Sequence, residues 1–238
     1  MNVDILAIGA HPDDVELACS GTLLVHADRG ATIGLLDLTR GELGTRGSAE
    51  LRDAEAARSA ELMGARFREN LHMADGGFVN DREHQLKIIE VIRWCRPRLV
   101  LANALSDRHP DHGRAAELIH DACFYAGLRK IETRREGRLQ EAYRPVQLLH
   151  YIQDYYRAPD FVVDVTETFE RKIECVKAFS SQFHDPESDE PETPLTGAGF
   201  FDFLRARAMD VGRPAGYDLG EGFERSRTFG VRDLLALD

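Results

Sequence analysis

The sequence predicts an α/β fold: a doubly wound, mainly parallel sheet with helices on both faces. Two observations carry this expectation. Four short apolar runs alternate with four stretches of helical periodicity in the first half of the chain, and such alternation builds parallel strands joined by right-handed crossovers. The 238 residues are 43% hydrophobic and 30% charged, enough for a sizeable core under a charged surface, which excludes disorder as the main state.

The first strand is the run Val3 to Gly9. The helix after it, Glu16 to Arg29, carries Leu17, Leu23 and Leu24 among small residues and stops at Gly30. Thr32 to Leu38 is the second strand, followed by a polar Gly-rich loop, TRGELGTRGS, and an Ala-rich helix from about Ala49 to Met63 that ends at Gly64. A weaker strand near Phe67 to Met73 leads to a helix with apolar positions Leu86, Ile88, Ile89, Val91, Ile92 and Trp94. After Pro97, Arg98 to Ala102 makes a fourth strand and Asp111 to Ala126 a fourth helix. Further strands are expected at Gln147 to Ile152 and Phe161 to Val165, then a helix at Thr166 to Ser181. The acidic, Pro-rich stretch His184 to Pro194 reads as a surface loop. The expectation is one domain over 1–238, a Rossmann-like core over about 1–165 with a trailing helical and loop region over about 166–238.

Thirty Lys and Arg against 41 Asp and Glu give a net charge of −11, which argues against a nucleic-acid partner, since phosphates need a clustered basic face. No stretch approaches the roughly 20 apolar residues that span a bilayer, so no membrane partner is expected. The start MNVDILAIGA runs directly into HPDDVE without a basic leader, and a cytoplasmic location is the expectation. Cys19, Cys95, Cys123 and Cys175 are scattered through apolar segments and read as free buried thiols.

With strand order 3-2-1-4-5, the first and fourth strands are neighbours, and ligands bind beyond their carboxyl ends where the winding reverses. The loop after the first strand is A-H-P-D-D-V-E at 10–16, and that after the fourth contains D-R-H-P-D-H at 107–112. Two imidazoles and a carboxylate with an open fourth position make a catalytic zinc site. His11, Asp14 and His112 supply that set, which can also hold Fe²⁺ or another divalent ion. Asp13 is then left to take a proton from the attacking water, and His109 to act as acid or cation, its imidazole held by Asp111. Glu16 is placed behind His11. Each aspartate can instead be an N-cap, but two H-P-D strings at the two strand ends flanking one crevice favour the metal site. His26, His72, His84, His120, His150 and His184 lack such company and read as surface or core histidines. The first turn lacks G-x-G-x-x-G, which disfavours a dinucleotide.

The pair A-H-P-D-D-V-E and H-P-D-H resembles the PIG-L/LmbE family of zinc-dependent N-deacetylases, which remove acetyl from N-acetylglucosamine conjugates on a Rossmann-like fold. The Gly-rich loop with E-L-R-x-x-E-A at 50–56, L-M-G at 62–64, S-Q-F at 181–183, T-P-L-T at 193–196 and E-G-F at 221–223 is similar to its bacillithiol-biosynthesis branch. The resemblance implies the same ligands, Asp13 as general base, His109 as oxyanion stabiliser and Arg52 as substrate-binding arginine. Some relatives carry a tyrosine after T-P-L-T, where this chain has Phe200 and Phe201. In that branch the substrate is N-acetylglucosamine linked to malate, an anion for which Arg46, Arg52 and Arg108 are the candidate cations. The alternatives are another acyl-amino sugar, such as a mycothiol-type precursor or a secondary metabolite, and a catalytically silent sugar-binding module. The resemblance also implies a homo-oligomer, a hexamer being one expectation.

Overall fold

The computed structural model describes residues 1–183, 191–233 and 235. The chain forms β1 (Ile5–Gly9), α1 (Asp14–Asp28), β2 (Ile33–Asp37), α2 (Ala49–Met63), β3 (Phe67–Asn70), α3 (Arg82–Cys95), β4 (Leu99–Ala102) and α4 (Pro110–Ala126). A small hairpin, β5 (Arg134–Arg135) and β6 (Arg138–Leu139), precedes β7 (Gln147–Tyr151), β8 (Phe161–Asp164), α5 (Phe169–Lys177), α6 (Phe200–Gly212) and β9 (Gly220–Arg225). The central sheet runs β3-β2-β1-β4-β7-β9-β8. Its first five members are parallel, and β9 is antiparallel to both neighbours.

Alternation along the strands decides which helices cover which face. Leu6 and Ile8 of β1 point into a core with Ile88 and Ile92 of α3 and Leu118 and Ile119 of α4. Ile5 and Ala7 point the other way, against Leu23 and Leu24 of α1 and Met63 of α2. Both faces of β1 are thus covered, and all five of its residues are buried, as a central parallel strand requires. A third apolar cluster joins α5 to α6 through Phe169, Phe179, Phe183, Phe200 and Leu204. The four cysteines are free and buried.

The last third of the chain departs from the sequence expectation. The region expected to trail the core sends β9 into the central sheet, between β7 and β8. Its sequence, GEGFER, offers Phe223 as its only large apolar residue, so no period-2 alternation announces a strand. Its glycines are demanded by packing. A Cβ on Gly220 would lie 2.5 Å from Val162 and 2.7 Å from the Gly212 backbone. Glu221 ties the strand inward: its carboxylate accepts the Gly21 and Thr22 backbone N–H groups of α1 at 3.0 and 2.7 Å and pairs with Lys172 Nζ of α5 at 2.5 Å. The helix expected over Thr166 to Ser181 is only α5, and α6 departs from the expectation altogether. Of the expected acidic loop at 184–194, residues 184–190 lie outside the described residues.

Candidate metal centre and active site

The chain leaves β1 into α1 on one face and β4 into α4 on the other, which opens a crevice beyond the two adjacent strand ends. The turn out of β1 is tight: a Cβ on Gly9 would sit 2.9 Å from the His11 carbonyl oxygen and 3.1 Å from Asp14 Cβ. Without that side chain the backbone folds back, and the His11 N–H donates to Asp14 Oδ2 at 3.0 Å.

Asp14 stands between two imidazoles. His11 Nδ1 is 3.7 Å from its Oδ2, and His112 Nε2 is 3.0 Å from its Oδ1. The far nitrogen of each ring is held by a carboxylate, His11 Nε2 by Asp75 Oδ1 at 3.0 Å and His112 Nδ1 by Asp107 Oδ2 at 2.5 Å. Asn103 Nδ2 and Gln153 Nε2 also donate to Asp14, each at 2.9 Å. One nitrogen turned inward and the other fixed by a carboxylate is the arrangement in which imidazoles bind metals. Imidazoles and carboxylates gathered in this way are the donors a divalent ion takes, but the expected trio His11, Asp14 and His112 is not itself one of the groups, among the described residues, whose donor atoms lie closest together. Among the described residues, the donor atoms of His11, His109 and His112, and those of His11, Asp75 and Asp111, come within 4.8 Å of one another.

Opposite charges packed together shift the titration of this cluster. Burial alone would depress His11, but Asp111, Asp75 and Asp14 outweigh it and lift it to about 10. His112 is similarly lifted to about 9 by Asp14 and Asp107 against burial. Burial would raise Asp14, but the His112 and His11 charges hold it far below the ordinary carboxylate range.

Asp13 occupies the N-cap position of α1 at φ 125°, and its side chain makes no cap hydrogen bond. A non-glycine residue in that region of backbone space is strained, and such strain concentrates at functional sites. The carboxylate is buried, and among the described residues its one ion pair is with Arg52 Nη2 at 3.6 Å. Burial raises it to about 6, with Arg52 pulling the other way. His109 is the N-cap of α4, its Nδ1 accepting the Asp111 backbone N–H at 3.3 Å. That bond leaves Nε2 as the protonated nitrogen of the neutral ring. Burial, then the neighbouring His11 and His112 charges, hold His109 below its ordinary value.

Two expected contacts are absent among the described residues. Asp111 does not hold the His109 ring: its Oδ2 accepts the Gly76 N–H at 2.8 Å and lies 3.5 Å from His11 Nε2, while its Oδ1 pairs with Arg114 at 2.5 Å. It points toward Gly76 in the loop after β3. Glu16 does not reach His11. It points under α2, accepting from Ser59 Oγ at 2.7 Å and Arg68 Nη1 at 2.6 Å.

A family model described as "PIG-L: GlcNAc-PI de-N-acetylase" matches residues 6–123, the span that carries both histidine motifs. The diacetylchitobiose deacetylase of Thermococcus kodakarensis is 30% identical over 230 residues, covering 92% of this chain and 81% of that one. The chain belongs to the PIG-L family. It is an amidohydrolase of that family, and the mainly parallel sheet is shared with its neighbours. The conserved protein TT1542 of Thermus thermophilus superposes with a TM-score of 0.84 at 34% identity, covering 97% of this chain and 98% of that one. The 4-oxalmesaconate hydratase of Pseudomonas putida is 25% identical, covering 75% of this chain and 74% of that one.

The PIG-L crevice opens into a cavity of about 510 Å³, within the size range of small-molecule sites. Arg52 and Arg108 are on its wall, as is Arg207 of α6; Arg46 is not. Arg46 is buried, and its carbonyl accepts from Gln182 Nε2 at 2.9 Å. Arg52 donates to Gln182 Oε1 and faces Asp13. Arg108 is half-exposed and pairs with Asp154 at 2.8 Å. Among the described residues the wall carries six aspartates, three arginines and three histidines. Leu195, Phe200, Phe203 and Leu204 form its apolar side.

Sequence reasoning missed Asp75 and Asp107, the carboxylates behind the two imidazoles. Asp107 lies within the second motif string, five residues before His112, and its place at the mouth of a strand was the available signal. Asp75 sits in a Gly-containing loop after the weakest strand, and nothing local marks it.

Proposed function

We propose that the chain hydrolyses the N-acetyl group of an N-acetylglucosamine conjugate. The observation that carries this reading is Asp13, a buried, non-capping carboxylate held at φ 125° beside the His11–Asp14–His112 cluster. His11, Asp14 and His112 would hold a divalent metal, zinc in our reading, which would supply Lewis acidity toward the acetyl carbonyl and water. Asp13 Oδ accepts the proton of the attacking water, and Arg52 keeps that carboxylate ionised and aimed. His109 Nε2–H donates to the oxygen that gains charge as the carbonyl becomes tetrahedral. Asp75 and Asp107 fix the two ligand rings. The proton carried by Asp13 goes to the departing amine, and acetate and a free amino sugar result.

For the aglycone we propose malate, the substrate of the bacillithiol branch, with Arg108 and Arg207 at the mouth of the cavity supporting an anionic group. A neutral disaccharide is the second reading. The apolar wall of Phe200, Phe203 and Leu204 favours it, as does the likeness to the Thermococcus enzyme. The test is primary-amine release from N-acetylglucosaminyl-malate, N,N′-diacetylchitobiose, an N-acetylglucosaminyl-inositol and plain N-acetylglucosamine. A rate on the malate glycoside at least tenfold above the others supports the first reading. Equal rates on malate glycoside and plain sugar refute it, and no amine from any of them refutes the deacetylase reading for these sugars.

A further inference from the structure

Four residues of α6 that line the catalytic cavity, Phe200, Phe203, Leu204 and Arg207, follow the i, i+3, i+4, i+7 spacing that places them on one face of the helix. Arg207 ends this stripe one turn beyond Phe203. Its Nη1 donates to the Asp154 carbonyl oxygen at 3.0 Å and its Nη2 to the Tyr155 carbonyl oxygen at 3.4 Å. Both acceptors belong to the segment between β7 and β8. That segment is tied to the catalytic centre, because the Tyr155 N–H donates to Asp107 Oδ1 at 2.7 Å and Asp107 Oδ2 holds the His112 ring. The guanidinium therefore stands at a fixed place relative to the expected metal ligands.

The three arginines on the cavity wall differ in what neutralises them. Arg52 faces Asp13, and Arg108 pairs with the Asp154 carboxylate at 2.8 Å. Arg207 makes no ion pair among the described residues: Arg108 has the Asp154 side chain, and Arg207 has only the carbonyl of that residue. Asp107, its other acidic neighbour, is committed to His112. Two guanidiniums thus share one carboxylate, and this corner of the wall carries excess positive charge. Burial lowers the Arg207 pKa despite the pull of Asp154 and Asp107, as it does for a cation that the protein leaves uncompensated. Two of the guanidinium's N–H groups are used, and the others suffice for a bidentate carboxylate.

On the deacetylase reading, we propose that Arg207 is the specificity-determining residue of the cavity and binds a carboxylate on the group linked to the sugar. A stripe of hydrocarbon closed by an uncompensated guanidinium suits an aglycone with a short hydrocarbon skeleton and a carboxylate. Arg108, already paired, contributes the smaller share.

The test compares N-acetylglucosaminyl-malate with its uncharged diamide on the zinc-loaded full chain. Calorimetry in an Asp13→Asn background, which suppresses turnover, gives the ratio of the two affinities. Arg207→Gln lowers that ratio by about 10–100-fold. Arg207→Lys, which keeps the charge without the fork, lowers it by less, as does Arg108→Gln. With Asp13 intact, the same loss is read in KM and not in kcat. A ratio that Arg207→Gln leaves unchanged, or that Arg108→Gln lowers as far, overturns the proposal. So does a chain with Arg207 in place that binds the malate glycoside no better than the diamide. The deacetylase reading fails separately: the chain with Asp13 intact then releases no amine from either glycoside, while the affinity ratio still answers to Arg207.

Discussion

Loading the metal-free protein with zinc should release about two protons per ion at pH 7. His11 and His112 stand at about 10 and about 9 in the metal-free chain because each is enclosed by aspartates, so both are imidazolium at neutral pH. A metal takes the neutral ring, and each coordination displaces one proton. Between about pH 7 and 8.5 the apparent affinity should therefore rise by about 100-fold per pH unit, about 2.7 kcal/mol, two protons at about 1.36 kcal/mol each. Calorimetry in two buffers of different ionisation enthalpy counts the protons directly. Asp107→Asn removes the carboxylate bonded to His112 Nδ1 at 2.5 Å, so release should fall toward one proton by pH 8 and zinc affinity by about 10–100-fold. If zinc binds with no proton release at pH 7, either the imidazoles are not ligands or the carboxylates do not charge them, and the account of the cluster is wrong.

The same shifts set a stability profile. A group whose pKa is raised on folding stabilises fully below its unfolded value, here 6.5, and that contribution is lost as pH rises through its folded value. The Tm of the metal-free chain should fall between about pH 6.5 and 10, while the zinc-loaded chain, its rings already neutral, should not show this step; parallel profiles would contradict it. Asp13→Asn should keep full zinc stoichiometry while amine release drops by about 10²–10⁴-fold, and undiminished turnover would remove Asp13 as the base. Glu221→Gln leaves Lys172 buried without its counter-charge and should cost about 3–5 kcal/mol in urea unfolding; an unchanged midpoint would show that β9 is anchored by other means.

Much of the architecture was legible because periodicity is a local signal. Ala49–Met63 was bounded at both ends by the Ala-rich pattern and Gly64, and β1, β2 and β4 by apolar runs between polar loops. Where packing from afar decides the backbone, that signal fails. β9 is a strand because Gly220 and Gly222 fit between β8 and α6 and because Glu221 reaches α1 and Lys172, contacts that the string GEGFER does not advertise. α6 was missed although FFDFLRARAMDVG is apolar enough, since Gly199 ahead of it offers no cap side chain.

The two His-Pro-Asp strings and the β-α alternation were sufficient to determine the fold class, the crevice and the family, because spacing along one chain fixes which loops emerge at neighbouring strand ends. Whether the Asp13 side chain caps α1, which carboxylate stood behind which imidazole, and where each arginine pointed were decided by the tertiary structure alone. Those outcomes depend on directions of side chains brought together from distant positions. Asp13 makes no cap bond, Asp75 and Asp107 hold the rings in place of Glu16, and Arg52 faces Asp13.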